Sequence, residues 1–173
     1  MHWLVLLKAD FKRKQQVFLE DGAQISMLRT LLTDGFSAML LYRLTHTCAS
    51  FTLTIPIAII LQWLNKTLNG CVIGAKAKFG AGFVLMHPNG VVINSKVRGG
   101  TNITLESGVV IGDEKGYSPK LGSNIYAGSG AKIIGKITIG DNVKIGANAV
   151  VVKSVNDGET VVGIPARPTS GKK

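Results

Sequence analysis

Apolar side chains recur at every sixth position through the second half of the chain. The members of this series are Ile73, Phe79, Leu85, Val91, Val97, Ile103, Val109, Leu121, Ala127, Ile133, Ile139, Ile145 and Val151. Gly follows the apolar residue at positions 74, 80, 122, 128, 140 and 146. A period of six with a branched aliphatic residue, Gly and a small residue is typical of a parallel β-helix. An antiparallel barrel would show alternation with period two instead.

Three such hexads form one triangular coil, so residues 18 apart are predicted to stack, with coils roughly 4.8 Å apart. The repeat region, 71–162, is long enough for about five coils. One hexad, 115–120, reads KGYSPK and replaces the apolar residue by Lys115 without shifting the phase of the series. We interpret it as a loop that projects from the solenoid, and loops on rigid scaffolds often carry function.

The first 70 residues follow a different pattern, in which apolar residues are spaced by three and four. These positions are Met27, Leu28, Leu31, Leu32, Phe36, Met39, Leu40 and Leu44. The spacing predicts one amphipathic helix over this stretch. Two further helices are predicted over 3–19 and 54–68, and Pro56 lies in the first turn of the second, where a missing N–H is tolerated.

The chain is therefore predicted to be mainly β, with three parts. An α-helical N-terminal domain (1–70) precedes the β-helix domain (71–162), and a basic C-terminal tail (163–173) follows. The tail contains two Pro residues, which should prevent further strand pairing.

The segment 51–64, FTLTIPIAIILQWL, is strongly apolar. Its fourteen residues fall short of the roughly 20 that are needed to span a bilayer. Packing in the core or in an oligomer is therefore favoured. Basic residues near the start of the chain leave peripheral membrane contact open as the alternative.

The 173 residues carry a formal net charge of +10, which indicates an anionic partner. Nucleic acid is disfavoured, because the sequence has no recognisable binding module with interleaved aromatic and basic residues. The phosphates of a cofactor, an acidic glycan and an anionic membrane surface remain open. Cys48 and Cys71 form neither a disulfide framework nor a metal spacing, which favours a reducing compartment and no metal cofactor. We predict a cytoplasmic protein, with a place at the inner face of the membrane left open.

His87 has an unusual setting among the three histidines. It lies within LMHPNG in the first predicted coil, where a hexad normally has small or apolar residues. Imidazole is the usual general base near neutral pH, so His87 is the candidate catalytic residue. The sequence has no nucleophile elbow, Walker loop or HExxH motif. A base without a protein nucleophile suggests direct transfer, in which an acceptor hydroxyl loses its proton to His87 and attacks a bound acyl donor.

These segments resemble a known family. The matching stretches are LLYRLTH, LMHPNGVVIN, VVIG, SPKLG, AGSGAKIIGKITIGDNVKIGANAVVVKSV and VVGIPAR. They are similar to the serine acetyltransferase branch of the left-handed β-helix acyltransferases. Within that branch they resemble the O-acetyltransferases of exopolysaccharide synthesis, of the colanic acid type. The resemblance implies a left-handed parallel β-helix, a homotrimer with a dimer of trimers left open, and acetyl-CoA as co-substrate in the groove between neighbouring coils.

The resemblance also implies roles for individual residues. His87 falls on the catalytic histidine of the family. Gly112 and Asp113 fall where backbone N–H groups lie near the thioester and are placed to stabilise an oxyanion. The remaining cofactor positions are Ser129 and Ala147 for the pantetheine arm, and Lys153 and Arg167 for the nucleotide end.

Departures from the family pattern bear on the acceptor. In serine acetyltransferases an Asp precedes the catalytic His, whereas Met86 precedes it here, and the acid that orients that His falls on Val72. The Arg and His that hold the serine carboxylate fall on Tyr117 and Ser118, although a desolvated carboxylate needs a charge-assisted partner. An acid at 20–21 remains open as the partner of the amino group.

We therefore predict an O-acetyltransferase that acts on a saccharide hydroxyl of an exopolysaccharide or capsule precursor, with serine as the alternative acceptor. Asn89, Tyr117 and Ser118 are predicted to supply the neutral donors and the aromatic platform for a sugar. Glu106 is the predicted orienter of His87, because a period of 18 stacks it above Pro88, and a backbone carbonyl is the other option. Two rival classes are a β-helix that binds a partner without catalysis and an enzyme with another acyl donor or a nucleotide-sugar acceptor.

Overall fold

The computed structural model describes residues 2–169 and consists of a helical region followed by a parallel β-helix. The helices are α1 (Trp3–Glu20), α2 (Met27–Leu32), α3 (Phe36–Cys48) and α4 (Ile55–Asn69), and a 3₁₀ turn at Thr52–Thr54 precedes α4. The helices predicted over 3–19 and 54–68 are confirmed. Pro56 lies in the first turn of α4, where its missing N–H would have no partner in the helix.

The single helix predicted from Met27 onwards is wrong, because residues 33–35 separate α2 from α3. Gly35 adopts a φ of +85°, which a side chain would make unfavourable. A Cβ at this position would also collide with the backbone carbonyl of Leu85. The break therefore brings a loop of the helical region into close contact with the solenoid.

The predicted β-helix is confirmed, and its three sides are sheets whose strands pair in parallel, apart from the last strand of the third side. The first side contains β1 (Val72–Ile73), β4 (Val92–Ile93), β7 (Val110–Gly112), β10 (Lys132–Ile134) and β13 (Val150–Val151). The second side contains β2 (Lys78–Phe79), β5 (Arg98–Gly99), β8 (Lys120–Leu121) and β11 (Thr138–Ile139). The third side contains β3 (Phe83–Leu85), β6 (Ile103–Leu105), β9 (Ile125–Ala127), β12 (Lys144–Ile145), β14 (Thr160–Val162) and β15 (Arg167–Pro168).

The period-six residues form the inside of the prism. All members of the series from Ile73 to Val151 are buried, and the most exposed of them, Leu121, is 6% exposed. Burial of each large aliphatic side chain contributes about 1.5–3 kcal/mol. Stacking of these side chains along the axis is therefore the main source of stability in the solenoid.

The prediction that all coils are 18 residues long is wrong. Val72 pairs with Val92, twenty residues later, whereas Val92 pairs with Val110, eighteen later. Val110 in turn pairs with Lys132, twenty-two residues later, and Lys132 pairs with Val150. The turn between β3 and β4 is thus two residues longer than the repeat requires, and the loop between β7 and β8 is four longer. The two insertions together make one hexad, which preserves the phase of the series.

The prediction that the tail forms no further strand is also wrong. β15 pairs antiparallel with β14, and Pro168 lies opposite Val161. The N–H of Thr169 donates to the Thr160 carbonyl at 2.7 Å, so the ladder continues beyond the proline. β15 is the outer strand of its sheet, a position where proline is tolerated. The last part of the predicted basic tail, 170–173, lies outside the described residues.

A buried ion pair joins the helices to the first coil. Arg43 on α3 donates to Asp10 on α1 through Nε at 2.8 Å and through Nη2 at 2.9 Å, and both side chains are at most 1% exposed. The pair also binds backbone groups of the first coil, namely the carbonyls of Phe79 and Gly80 and the N–H groups of Gly82 and Phe83. This network fixes the position of α1 and α3 on the solenoid.

The outer face of α4 exposes several apolar side chains. They are Ile57, Ile59, Ile60, Trp63 and Leu68, which are 49–71% exposed. Core packing within the chain therefore covers only the inner face of α4, where Ala58 and Asn65 are buried.

Within residues 2–169, none of the helices combines the length and the apolar character that crossing a membrane requires.

Candidate active site

His87 lies in the lengthened turn between β3 and β4. β3 ends at Leu85, so His87 is the second residue of the turn, and its side chain is 59% exposed. The turn closes through a 3.0 Å hydrogen bond from the Val91 N–H to the Pro88 carbonyl, and Gly90 adopts a φ of +75°. Because the two extra residues carry the chain outwards, the imidazole projects from the prism instead of entering its core.

A carboxylate from the helical region faces this imidazole. Oδ2 of Asp34, in the loop between α2 and α3, lies 3.4 Å from Nδ1 of His87. A carboxylate at Nδ1 favours the tautomer that carries its proton there, which leaves the Nε2 lone pair free to accept a proton. The contact is long for a charge-assisted hydrogen bond, and hydrogen bonds of this kind commonly tighten when the substrate binds. The pair has the chemistry of an oriented general base.

Glu106, the predicted orienter, lies elsewhere. Leu105 pairs with Leu85, so Glu106 takes the place beside Met86 in the neighbouring coil and does not stack above Pro88. The error arises because the first coil is twenty residues long. The structure therefore brings Asp34, and not Glu106, to the imidazole of His87.

A cleft of about 390 Å³ lies between α1 and the outer surface of the third side. Its charged lining residues are Glu20, Asp21, Glu106, Arg13 and Lys144. Arg13 donates to Glu20 at 2.7 Å. Burial, reinforced by the negative charges of Glu106 and Asp21, raises the pKa of Tyr126, so its hydroxyl keeps its proton at neutral pH. The cleft therefore offers groups for both an ammonium and a carboxylate of a small ligand.

Ser129 and Ala147 lie on the same edge of the prism as His87. The strands of the third side are in register, with Leu85, Leu105, Ala127 and Ile145 at equivalent positions. His87, Ser129 and Ala147 each follow two residues after one of these positions. Ser107 occupies the equivalent place in the coil between them, and its hydroxyl lies 3.4 Å from that of Ser129. The candidate base and the predicted pantetheine positions thus form one column.

Gly112, Asp113 and Lys153 lie at a different corner. Gly112 ends β7 on the first side, Asp113 follows it, and Lys153 follows β13 on the same side. One side of the prism, six residues and at most about 20 Å long, separates this corner from that of His87. Arg167, the remaining predicted cofactor residue, is exposed on β15.

The sugar site predicted from Asn89, Tyr117 and Ser118 is not assembled within one chain. Asn89 lies in the His87 turn and lines a pocket with Asp34, whereas Tyr117 and Ser118 lie in the loop after β7. Tyr117 and Ser118 each contact a residue of the solenoid instead of the His87 turn. The Lys136 Nζ lies 4.6 Å from the centre of the Tyr117 ring, and Ser118 donates to the Asn94 side chain at 3.2 Å.

A buried lysine, which the sequence analysis did not identify, lies behind the Asp34–His87 pair. Lys14 on α1 is fully buried, and its Nζ donates to the Leu85 carbonyl at 2.9 Å and to the Asp34 carbonyl. Burial lowers the pKa of Lys14 to about 8, although the charges of Asp34 and Glu106 oppose this shift. Lys14 follows two other basic residues, so its sequence context suggests an ordinary solvated side chain.

We expect Lys14 to make the stability depend on pH. Its pKa falls from the ordinary value of 10.5 to about 8 on folding, so between these values the unfolded chain binds more protons than the folded chain. The free energy of unfolding should therefore rise with pH through this window, by up to about 1.4 kcal/mol per pH unit. The gain in the free energy of unfolding is complete above the ordinary pKa of 10.5, and it is lost as the pH falls to about 8. Urea unfolding at several pH values, compared between the wild type and Lys14→Met, measures it, and an equal rise in both proteins would contradict the assignment.

Comparison with known proteins identifies relatives along the whole chain. The family model described as bacterial transferase hexapeptide (six repeats) matches residues 118–153. The serine acetyltransferase of Helicobacter pylori strain 26695 is 37% identical over 158 residues, which cover 88% of this chain and 92% of that protein. The Neisseria gonorrhoeae serine acetyltransferase in complex with serine has a TM-score of 0.88 and 32% identity, over 97% of this chain and 69% of that one. A serine acetyltransferase in complex with CoA has a TM-score of 0.87 and 28% identity, over 96% and 69%.

These relatives correct two predictions. A saccharide acceptor, and with it a role in polysaccharide synthesis, is wrong, since relatives that match 88% and 97% of the chain are serine acetyltransferases. The finer assignment to the exopolysaccharide O-acetyltransferases fails for the same reason. The coarser assignment to the hexapeptide-repeat transferases is confirmed.

Proposed function

Because the chain belongs to the serine acetyltransferase family of hexapeptide-repeat transferases, and is thus an acyltransferase, we propose that it transfers the acetyl group of acetyl-CoA to the hydroxyl of L-serine. His87 is the proposed general base. Its Nε2 takes the proton of the serine hydroxyl as the oxygen attacks the thioester carbonyl. The tetrahedral intermediate then collapses, the C–S bond breaks, and the thiolate leaves with the proton from the imidazolium. The products are O-acetylserine and CoA.

One observation carries this proposal, namely the exposed imidazole whose Nδ1 faces a carboxylate. The acid that the family places at the position of Val72 is missing here, and Asp34 supplies the same chemistry from the helical region. A carboxylate at Nδ1 stabilises the imidazolium that forms during the transfer. General-base catalysis at a substrate hydroxyl therefore remains available despite the loss at position 72.

The charges of the cleft support an amino acid as acceptor. Serine carries an ammonium and a carboxylate, and each needs a partner of opposite charge once it leaves water. Glu20, Asp21 and Glu106 are the proposed partners of the ammonium, and Arg13 and Lys144 those of the carboxylate. The cleft adjoins the catalytic turn because Glu106 lies beside Met86, the residue before His87. The loss of the family's cationic clamp at Tyr117 and Ser118 thus does not exclude serine.

The binding of acetyl-CoA is proposed to follow the column that starts at His87. Ser129 and Ala147 lie along this edge and are the proposed contacts of the pantetheine arm. Arg167 and Lys153 are exposed cations that suit the phosphates of the nucleotide end. Lys153 lies at the corner of Gly112 and Asp113, so it is proposed to reach this ligand from a neighbouring subunit. This assignment uses part of the net charge of +10.

We further propose that the site forms between subunits of a homotrimer. Gly112 and Asp113, the proposed oxyanion donors, lie one side of the prism away from His87 in the same chain. A neighbouring prism that packs corner to corner would bring its Gly112 and Asp113 to the His87 edge. A protein that is active as a monomer in solution would contradict this arrangement.

The function is tested by release of free thiol from acetyl-CoA by the purified protein. We expect the release to depend on L-serine, to yield O-acetylserine by mass spectrometry, and to be absent with L-alanine, which has the same charges but no hydroxyl. Thiol release that is independent of any acceptor, or no release with L-serine, would contradict the proposal.

A further inference from the structure

We propose that Lys14 is a positioning residue for the transfer, because its buried ammonium joins the Asp34 loop to the end of β3 and so holds the Asp34 carboxylate against His87. The inference rests on the proposed function for the role of His87. It concerns a residue for which the resemblance to the family implies no role.

The contacts of Lys14 connect both members of the pair. One ammonium donates to the backbone carbonyl of Asp34 and to that of Leu85, the second residue before His87. The loop that carries the orienting acid and the turn that carries the base are therefore bound to the same atom. We therefore expect removal of the ammonium to release both segments and to alter the distance between the two side chains.

The packing around Gly35 leaves little freedom in this arrangement. A Cβ at Gly35 would lie 3.1 Å from the Lys14 Nζ and would collide with the Leu85 carbonyl. The loop, the ammonium and the end of β3 are thus in direct contact. Asp34 itself is 72% exposed, so its side chain receives no support from burial and depends on its backbone for its place.

The burial of an ammonium needs a reason beyond packing. Transfer of a charged amine out of water is strongly unfavourable unless hydrogen bonds and opposite charges compensate for it. An apolar side chain at position 14 would fill the same space between α1 and the solenoid without that cost. Compensation comes here from two backbone carbonyls and from the charges of Asp34 and Glu106. The carbonyls and carboxylates that stabilise the buried ammonium therefore belong to segments that carry or adjoin the proposed site.

The test compares the wild type with Lys14→Met, Asp34→Asn and the double variant. The matched control is Lys12→Met, since Lys12 is an exposed lysine on the same helix. We expect Lys14→Met to lower kcat for serine by about ten- to a hundredfold, as small misplacements of catalytic groups do. The KM for acetyl-CoA should change less than about twofold, since Lys14 bonds to the Asp34 and Leu85 carbonyls and to none of the proposed donor contacts. The double variant should be no slower than Asp34→Asn, because Lys14 acts through Asp34.

A second readout is independent of turnover. The ¹⁵N chemical shifts of the His87 ring report which nitrogen carries the proton. We expect the wild type to favour the proton on Nδ1, and both Asp34→Asn and Lys14→Met to lose this preference, whereas Lys12→Met keeps it. If Lys14→Met does not fold, Lys14→Gln, which keeps a hydrogen-bond donor, is measured in its place.

The outcomes separate this inference from the proposed function. Losses of kcat that add in the double variant, or a His87 tautomer that is unchanged by Lys14→Met, would overturn the role of Lys14. A wild type that does not acetylate serine would overturn the proposed function, and the ring shifts would still decide the role of Lys14.

Discussion

Replacing His87 with Ala is expected to lower kcat for acetyl transfer to serine by about 10²–10⁴-fold, the range that a positioned general base contributes. The side chain is 59% exposed and projects from a turn, so its removal should leave the fold intact. The KM for acetyl-CoA should also change little, because the proposed contacts with the donor are made by later coils. Thiol release under saturating L-serine measures kcat, and circular dichroism checks the fold.

His46→Ala is the matched control for this experiment. The His46 ring lies between α3 and the first coil, where its Nδ1 is 3.1 Å from the Ala75 carbonyl, and the proposed mechanism does not use it. Burial lowers the pKa of His46, which makes the neutral ring the form present at neutral pH. The control should retain kcat within about threefold. A His87→Ala variant as active as His46→Ala would remove His87 from the chemistry.

The solenoid could be predicted because its core needs an apolar side chain at every sixth residue. What the repeat could not show is a change of register. Ile73 pairs with Ile93 and not with Val91, although both Val91 and Ile93 are buried. Each side of the prism has two columns of apolar residues that point inwards. The period-six series changes from one column to the other at the His87 turn. Because both columns are apolar, no polar residue marks the change in the sequence. The misplacement of Glu106 followed from this.

The partner of His87 could not be predicted from spacing. Asp34 is 53 residues away in sequence and belongs to a different kind of structure. The apolar pattern favours one continuous helix through Asp34, and the family pattern places the orienting acid at the position of Val72. The signal that could have located it is the Asp-Gly pair in the middle of that helix, since Gly in a helix interior is unfavourable and often marks a boundary.

The prediction of a neutral acceptor is wrong because it depends only on the residues at the family's aligned positions. Tyr117 and Ser118 indeed offer no cation to a serine carboxylate, but the folded chain places Arg13 and Lys144 in one cleft with three carboxylates. Arg13 comes from the first helix and Lys144 from a late coil. A cleft formed by residues this far apart in sequence follows from how α1 lies on the third side, which no local pattern specifies.

The buried pair of Arg43 and Asp10, which holds α1 on the solenoid, is expected to contribute strongly to stability. Replacing Arg43 with Met is expected to lower the free energy of unfolding by about 3–5 kcal/mol, as breaking a buried ion pair does. The change leaves the Asp10 carboxylate buried without its bidentate partner and removes two donors from carbonyls of the first coil. Urea unfolding followed by circular dichroism measures it, at one protein concentration for all variants because an oligomer would make the midpoint concentration dependent.

Arg13→Met is the matched control, since it removes an arginine from the same helix bundle but from an exposed pair. The Arg13 and Glu20 side chains are 24% and 60% exposed, and such pairs contribute about 0–1 kcal/mol. If Arg43→Met costs no more than Arg13→Met, the buried pair does not anchor the helices. If Arg43→Met lowers the stability strongly, serine turnover by the molecules that remain folded reports on the position of α1. This helix carries Asp10 and Lys14 and forms one wall of the cleft. A displaced α1 should then raise the KM for serine more than the KM for acetyl-CoA.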